Sequence, residues 1–152
     1  MAIVELLNES GVDVDTLAIA SQVNFIQQQL RLHDETEVSL LFVAPDRMAE
    51  LHAQWMDEPG PTDVMSFPMD DLAIPSADET AEPGILGDIV MCPQVAAEQG
   101  ASAGHDMNAE IELLVTHGVL HLLGMDHQED AAREVMFELQ AELLTAWRAQ
   151  SS

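Results

Sequence analysis

The sequence predicts an α+β fold in which a small mixed β-sheet is packed with helices. Short apolar segments typical of strands alternate with longer segments whose apolar residues repeat at helical spacing. The chain has 152 residues, 47% of them hydrophobic, which is enough for one core and argues against disorder. Because no internal repeat or linker-like segment divides the chain, we expect residues 1–152 to form a single domain.

Four strands are expected. Residues 2–7 are a short apolar run, and residues 38–43 (VSLLFV) are too continuously apolar to form a half-exposed strand. Residues 62–67 and 86–91 complete the set. The segment 57–61 (DEPGP) is typical of a loop that precedes the third strand.

Five helices are expected from the apolar periodicity, over residues 15–32, 45–55, 93–99, about 106–122 and 130–148. Pro45 suits a first helical turn, Gly100 is expected to end the third helix, and Asp106 or Asn108 is expected to cap the fourth. Residues 68–84 carry prolines and several acidic residues, which predict a flexible acidic surface loop.

Three of the six histidines, His117, His121 and His127, lie within eleven residues at the end of the fourth helix. Because four residues make about one helical turn, His117 and His121 project from the same face as neighbours. On a continuing helix His127 would lie roughly 15 Å from His117 along the axis. A left-handed conformation at Gly124 would end the helix and return the chain toward the pair. We therefore predict a metal site on a helix that ends at Gly124, with the three histidines as ligands.

The expected cofactor is one Zn²⁺ per chain with water in the fourth position. Three protein ligands and an open position are typical of catalytic zinc, whereas structural zinc is usually closed by four ligands. Three imidazoles also suit nickel, copper or iron, so the metal's identity stays open. The spacing is similar to the zinc signature of metzincin proteases, but Gly118 stands where those enzymes carry a general-base glutamate. A metallopeptidase is therefore the least favoured function.

The other histidines and the single cysteine have structural explanations. His33 follows the first helix as a charge partner for its C-terminus, His52 lies on a partly exposed helix, and His105 is expected to be exposed on a link. Cys92 is expected to be a buried thiol, and a single cysteine suits a reducing compartment. No apolar run approaches the roughly 20 residues needed to cross a membrane, and the first residues carry no basic group. We expect a cytoplasmic protein with no membrane partner.

The segment HGVLHLLGMDH at residues 117–127 resembles the signature of the YbeY proteins, bacterial metal-dependent endoribonucleases of ribosomal RNA maturation. Residues 61–68 (PTDVMSFP) and 86–89 (LGDI) resemble two further segments of that family, in the same order. The resemblance implies single-stranded or structured ribosomal RNA as substrate, in small-subunit maturation and ribosome quality control. It also implies small ribosomal subunit proteins as partners; the oligomeric state is left open.

Two aspartates are the candidate catalytic residues. Because Gly118 offers no base, proton transfer would fall to Asp126 or Asp63, or to the substrate itself. Asp126 has the alternative role of orienting His127. Asp63 and the nearby Ser66 have the alternative of backbone hydrogen bonding at a strand end. Asp88 is expected to support one of the histidines through a hydrogen bond.

The charge disfavours a nucleic-acid partner when it is considered alone. The chain has 28 acidic residues, four arginines and no lysine, for a net charge of -24, whereas RNA binding depends on neutralising phosphates. Three explanations remain open: a local cationic site formed by the metal and one or two arginines, delivery to RNA by a basic protein, or a role of the acidic surface in solubility or in a salty cytoplasm. The charge also leaves a second function open, a non-catalytic ribosome assembly factor that is stabilised by its metal and acts through protein partners.

One departure from the family concerns the phosphate contact. Many YbeY proteins carry an arginine after the aromatic residue that is Trp55 here, and Met56 takes its place in this chain. If that arginine holds a phosphate, its role is either unfilled in this chain or passes to another residue, for which Arg47 is the candidate.

Overall fold

The computed structural model describes residues 1–56, 62–126 and 128–151, and within them the predicted α+β fold is confirmed. The strands are β1 (Ile3–Asn8), β2 (Glu37–Phe42), β3 (Val64–Pro68) and β4 (Ile85–Met91). The helices are α1 (Thr16–Gln29), α2 (Pro45–Met56), α3 (Pro93–Ala103), α4 (Met107–Leu122) and α5 (Asp130–Ser151). The loop predicted at residues 57–61 lies outside the described residues.

The strands form one mixed sheet in the order β1-β2-β4-β3. β1, β2 and β4 are parallel, and β3 pairs with β4 in the antiparallel sense, with Ser66 opposite Ile89. Parallel neighbours need crossover connections, which α1 supplies between β1 and β2. The antiparallel β3 therefore forms one edge of the sheet.

The two faces of the sheet pack against different helices. Leu40 and Ile89 belong to a large core with residues of α1, α4 and α5, whereas Leu41 and Val90 pack in a smaller core with Met48 of α2. This division follows from the alternation of side chains along a strand. Helix α4 is thus fixed on the first face and β3 on the edge beside it, which positions the site described below. The predicted burial of Cys92, in the smaller core, is confirmed.

The predicted end of α3 is wrong, because the helix continues through Gly100 to Ala103. Gly100 is buried, and a β-carbon there would lie 2.9 Å from the carbonyl oxygens of both His105 and Asp106. This glycine therefore permits a close approach of the next segment and does not end the helix. Gly104, at φ 89°, is the residue that ends it in the left-handed conformation.

The acidic loop between β3 and β4 is attached to the body of the protein. Leu72 and Ile74 pack against the large core. The Arg31 guanidinium donates hydrogen bonds to the carbonyl oxygens of Pro75 and Ser76, at 3.0 and 2.9 Å. The predicted flexibility of this loop stays a prediction.

None of the helices in the described ranges combines the length and the apolar character that crossing a membrane requires.

Candidate active site

A cleft of about 750 Å³ lies between β3, α4 and α5. Its walls are apolar where Met65 and Leu114 line it, and the end of α2 contributes Met56. The polar and aromatic groups that line it are Asp63, Ser66, Glu110, His117, His121, Gln128, Phe137 and Gln140. The cleft therefore brings together four of the side chains singled out from the sequence, Asp63, Ser66, His117 and His121.

His117 and His121 face the cleft as neighbours. They lie four residues apart on α4, their ring centroids are 4.6 Å apart, and the ring planes are inclined by 77°. Both side chains are half-buried, so the rings are held by packing while part of each remains accessible. This arrangement brings together two of the three predicted metal ligands.

A hydrogen bond from α5 sets the orientation of the His117 ring. Nδ1 of His117 lies 2.8 Å from the amide oxygen of Gln140. Because that oxygen only accepts, Nδ1 is the donor in this contact, and in the neutral tautomer the lone pair is on Nε2. Histidines that bind a metal through one nitrogen commonly donate the other N–H to a carbonyl or carboxylate oxygen. The donor set therefore fits a metal ion, and Gln140 is a residue that the sequence analysis missed.

Helix α4 ends in the glycine turn predicted from the sequence. Gly124 has φ 88°, its N–H donates to the carbonyl oxygen of His121 at 3.0 Å, and the N–H of Met125 donates to that of Leu120 at 3.1 Å. This pair of bonds is the Schellman arrangement, which reverses the chain direction after a helix. The turn is therefore hydrogen-bonded to the backbone of His121, one of the candidate ligands.

The third predicted ligand, His127, lies outside the described residues. Among the side chains that the structure does describe, no group of three histidines, cysteines or carboxylates is arranged to hold a metal. The three-histidine site therefore stays a prediction, of which the described part is the pair on α4 and the turn that follows it.

The two candidate carboxylates have different environments. Asp63 lines the cleft just before β3, and its Oδ1 accepts hydrogen bonds from the Val64 N–H at 2.8 Å and the Thr62 hydroxyl at 3.2 Å. Asp126 is exposed and accepts a bond from the Gln128 N–H at 3.3 Å. Of the two, Asp63 is the one that lines the cleft together with the histidines, and both catalytic roles stay predictions.

The prediction that Asp88 supports a histidine is wrong. Its neighbour Ile89 faces α4, and successive strand residues point to opposite sides of a sheet. Asp88 accordingly lines a separate hollow on the other face with Glu5 and Ser39. Asp88 lies in β4 as predicted, but its side chain is on the face of the sheet opposite to α4 and its histidines.

The model of the family described as Endoribonuclease YbeY matches residues 8–148. This chain belongs to that family. A protein named Endoribonuclease YbeY from Acidothermus cellulolyticus is 53% identical over 150 residues, with 96% of this chain and 92% of the relative covered. Another of the same name from Thermobifida fusca is 54% identical over 145 residues, with 95% and 94% covered. The resemblance drawn from the histidine segment is confirmed.

A solved structure supports the fold independently. The solution structure of TM1509 from Thermotoga maritima matches with a TM-score of 0.66 and 24% identity, over 97% of this chain and 93% of that one. At this identity the likeness concerns the fold alone.

None of the four arginines is among the residues that line the cleft, and each has an oxygen partner elsewhere. Arg47, considered above for phosphate contact, pairs with Glu50 at 3.0 Å on the exposed side of α2. Arg133 pairs with Asp130, and Arg148 with Glu112, while Arg31 holds the acidic loop. Met56, where the resemblance led us to expect an arginine, does line the cleft.

Glu110 is a second cleft residue that the sequence analysis missed. It is 6% exposed, it lines the cleft, and its Oε1 lies 2.6 Å from Nε2 of His105. His105 lies on the link between α3 and α4 as expected, but its side chain is only partly exposed, at 35%, and is paired with Glu110. A signal was present in the sequence, because Glu110 precedes His117 by seven residues and so shares its helix face.

Proposed function

We propose that this chain is a metal-dependent endoribonuclease that acts in ribosomal RNA maturation. The observation that carries the proposal is the pair of imidazoles, His117 and His121, that face one cleft in a chain of the Endoribonuclease YbeY family. A cleft of about 750 Å³ is within the usual range for sites that bind small molecules or segments of larger ones.

His117, His121 and His127 would hold the metal, for which zinc is our proposal. When bound, such an ion lowers the pKa of a water ligand toward about 7 and polarises a phosphate oxygen. By accepting a hydrogen bond from Nδ1–H, Gln140 would favour the neutral tautomer of His117 that binds a metal through Nε2. The Schellman turn fixes the last residues of the helix that carries both described ligands.

Asp63 is the residue that we propose as proton acceptor. Its Oδ1 is occupied by two hydrogen bonds, whereas Oδ2 makes none with the described residues and belongs to a side chain that lines the cleft. A carboxylate with one oxygen fixed and the other open is oriented for general-base catalysis. For Asp126, which is exposed beside the turn, we propose the role of orienting His127.

The aromatic ring of Phe137, close to His117, favours a single-stranded substrate. Phe137 lines the cleft, its centroid lies 6.3 Å from that of His117, and 44% of the residue is exposed. An unpaired base stacks on such a ring, whereas bases inside a duplex are already stacked on one another. We propose ribosomal RNA of the small subunit as the substrate and its proteins as partners, in the cytoplasm.

A second function is favoured by the charge. With a net charge of -24 and all four arginines paired with oxygen atoms of the protein, the chain has little to offer to phosphates. A non-catalytic assembly factor that binds the ribosome through basic proteins would need no such contacts.

Cleavage by purified protein separates the two functions. We expect wild-type protein loaded with zinc to cleave a 5′-labelled single-stranded ribosomal RNA fragment, and His117→Ala to lose cleavage while it stays folded and still binds small-subunit proteins. A DNA strand of the same sequence is the substrate control, and analysis of product ends distinguishes attack by water from attack by the RNA's own 2′-hydroxyl. Wild-type protein that binds ribosomal proteins but cleaves nothing would establish the assembly factor instead.

A further inference from the structure

We propose that Glu110 determines specificity by accepting a hydrogen bond from a nucleoside of the RNA, at the end of the cleft away from the histidine pair. The inference rests on the proposed nuclease function and adds to it a residue that recognises the substrate. The recognised group is an N–H of a base or the 2′-hydroxyl of a ribose, both of which donate to a carboxylate.

The position of Glu110 supports contact with a nucleoside next to the cleavage site. Glu110, Leu114, His117 and His121 follow one face of α4, and Glu110 and both histidines line the same cleft. Seven residues of helix separate Glu110 from His117 by roughly 10 Å along the axis. A group at that distance is too far to join a metal held by the histidines, but it lies within reach of a neighbouring nucleoside of the same strand.

Burial of this carboxylate argues against a purely structural role. The Glu110 side chain is 8% exposed, and Leu113 and Leu114 line the cleft beside it. A buried carboxylate loses hydration, and an apolar side chain of similar size commonly stabilises such a position more. Oε1 is bonded to His105, and Oε2 has no hydrogen-bonding partner in the described part of the chain. The second oxygen is therefore an acceptor without such a partner, on a side chain that lines the cleft.

The negative charge of the Glu110 carboxylate limits the chemical groups that it can bind. An ionised carboxylate repels phosphate and accepts only from donors, so the RNA must present a base edge or a ribose hydroxyl there. Bases in single strands are read in this way on their Watson–Crick edges, and glutamate accepts from exocyclic amino groups. Glu110 would also disfavour a phosphate at this end of the cleft.

His105 acts in this proposal as a positioning residue. Nε2 of His105 lies 2.6 Å from Oε1 of Glu110. His105 itself is not among the residues that line the cleft. It precedes α4 and fixes the carboxylate from outside. Removing the imidazole should therefore weaken recognition without removing the acceptor.

The test uses full-length Glu110→Gln, which preserves side-chain shape. The matched control is Glu98→Gln, an equal change of charge at an exposed position of α3, and His105→Ala is a second probe in case Glu110→Gln does not fold. The substrates are ten-nucleotide single strands of oligo(U), oligo(C) and oligo(A), together with strands of the same length that carry guanosine or inosine at the centre. Each strand is also made in its 2′-deoxy form. Cleavage gives kcat/KM for each RNA, and fluorescence anisotropy gives Kd for every strand.

We expect Glu110→Gln to change, by on the order of tenfold, either the ratio of kcat/KM between bases or the ratio of Kd between RNA and DNA. His105→Ala should change the same ratio less, and Glu98→Gln should leave it unchanged. A change in the kcat/KM ratio between bases identifies a base donor, and a change in the Kd ratio of RNA to DNA identifies the ribose hydroxyl. Suppose that wild-type protein cleaves RNA but folded Glu110→Gln keeps every ratio within about twofold of the wild-type value. This inference is then wrong and the nuclease function stands. If Glu110→Gln does not fold, the same result with His105→Ala leads to the same conclusion. If wild-type protein cleaves nothing, the nuclease function fails and the Kd ratios alone decide the role of Glu110.

Discussion

Gly118 of α4 packs so closely against Ile89 of β4 that a β-carbon on the glycine would lie 3.0 Å from Ile89 Cδ1. The same carbon would also approach Cγ2 and Cγ1 of Ile89, at 3.3 and 3.4 Å. Position 118 therefore faces the sheet, while His117 faces the cleft. A glutamate there could not reach the cleft, which gives a structural reason why the metzincin-like spacing does not provide peptidase chemistry.

Substitution of Gly118 with a branched side chain should destabilise the protein. Ile89 is 0% exposed, so the added methyl groups of Gly118→Val have no open space to occupy. Overpacking of this kind costs typically 1–3 kcal/mol, so we expect a loss of about 2 kcal/mol in the free energy of unfolding. Urea denaturation of wild type and variant measures the difference.

The background variant Ile89→Ala provides the control. It should destabilise the protein by itself, by about 2–5 kcal/mol, but it removes the atoms that Gly118→Val would strike. The loss caused by Gly118→Val should therefore be at least about 1 kcal/mol smaller in this background. Strictly additive losses would show that the two residues are not in steric conflict.

Two glycines with almost the same backbone conformation provide a matched test of the turn after α4. Gly124 has φ 88° and Gly104 has φ 89°, and neither has an atom within 4 Å of an added β-carbon. Alanine at either position should cost about 1 kcal/mol of stability, because both sites demand the left-handed conformation. Only Gly124→Ala should also lower zinc affinity, since only that turn leads from the α4 histidines to His127. Equal zinc affinity in the two variants, measured by competition with a chelating dye, would contradict the proposed role of the turn.

The contact between Gln140 and His117 should support metal binding. Gln140→Leu removes the acceptor for Nδ1–H and leaves both described histidines in place. Loss of such a partner typically lowers metal affinity by about 10–100-fold, so we expect a decrease in that range. The comparison variant is Gln99→Leu, at an exposed position of α3. If dialysis against a zinc buffer gives the same affinity for both variants, Gln140 does not orient a ligand.

Introducing a cation at position 56 should strengthen RNA binding. Met56 lines the cleft and is 44% exposed, so the arginine of Met56→Arg can reach both the cleft and solvent. We expect Met56→Arg to bind single-stranded RNA several-fold more tightly than wild type. The slope of log Kd against the logarithm of the salt concentration should also become steeper by about 0.7, the change expected for one added phosphate contact. Gln99→Arg makes the same change of charge on α3, away from the cleft. Similar effects of the two variants would show that total charge, not a local contact, governs binding.

Much of the fold followed from apolar periodicity. The nine predicted segments correspond to the nine elements of the described residues, because short continuous apolar runs alternate with longer segments whose apolar residues repeat at helical spacing. The errors concern tertiary contacts. Gly100 permits a close approach and does not end α3, and Asp88 lies on the face of the sheet opposite to the α4 histidines. Neither a neighbouring backbone nor the side of a sheet on which a helix packs is visible in local sequence.

The site was predictable where its residues share a helix. His117, His121 and the Gly124 turn depend only on spacing and glycine chemistry, which act locally. Gln140 was not predictable, because its contact joins residues 23 positions apart through the packing of α5 on α4. Glu110 could have been found by extending the histidine face backward by two turns.

The most direct test of the account measures metal content and RNA cleavage on the same samples of wild type and His121→Ala, with circular dichroism to verify folding. We predict about one zinc ion per wild-type chain, as three histidines and one water would hold, together with cleavage of single-stranded RNA. Folded His121→Ala should lose both the metal and the cleavage. Cleavage at the wild-type rate by His121→Ala, or by wild-type protein after complete removal of metal, would contradict the account.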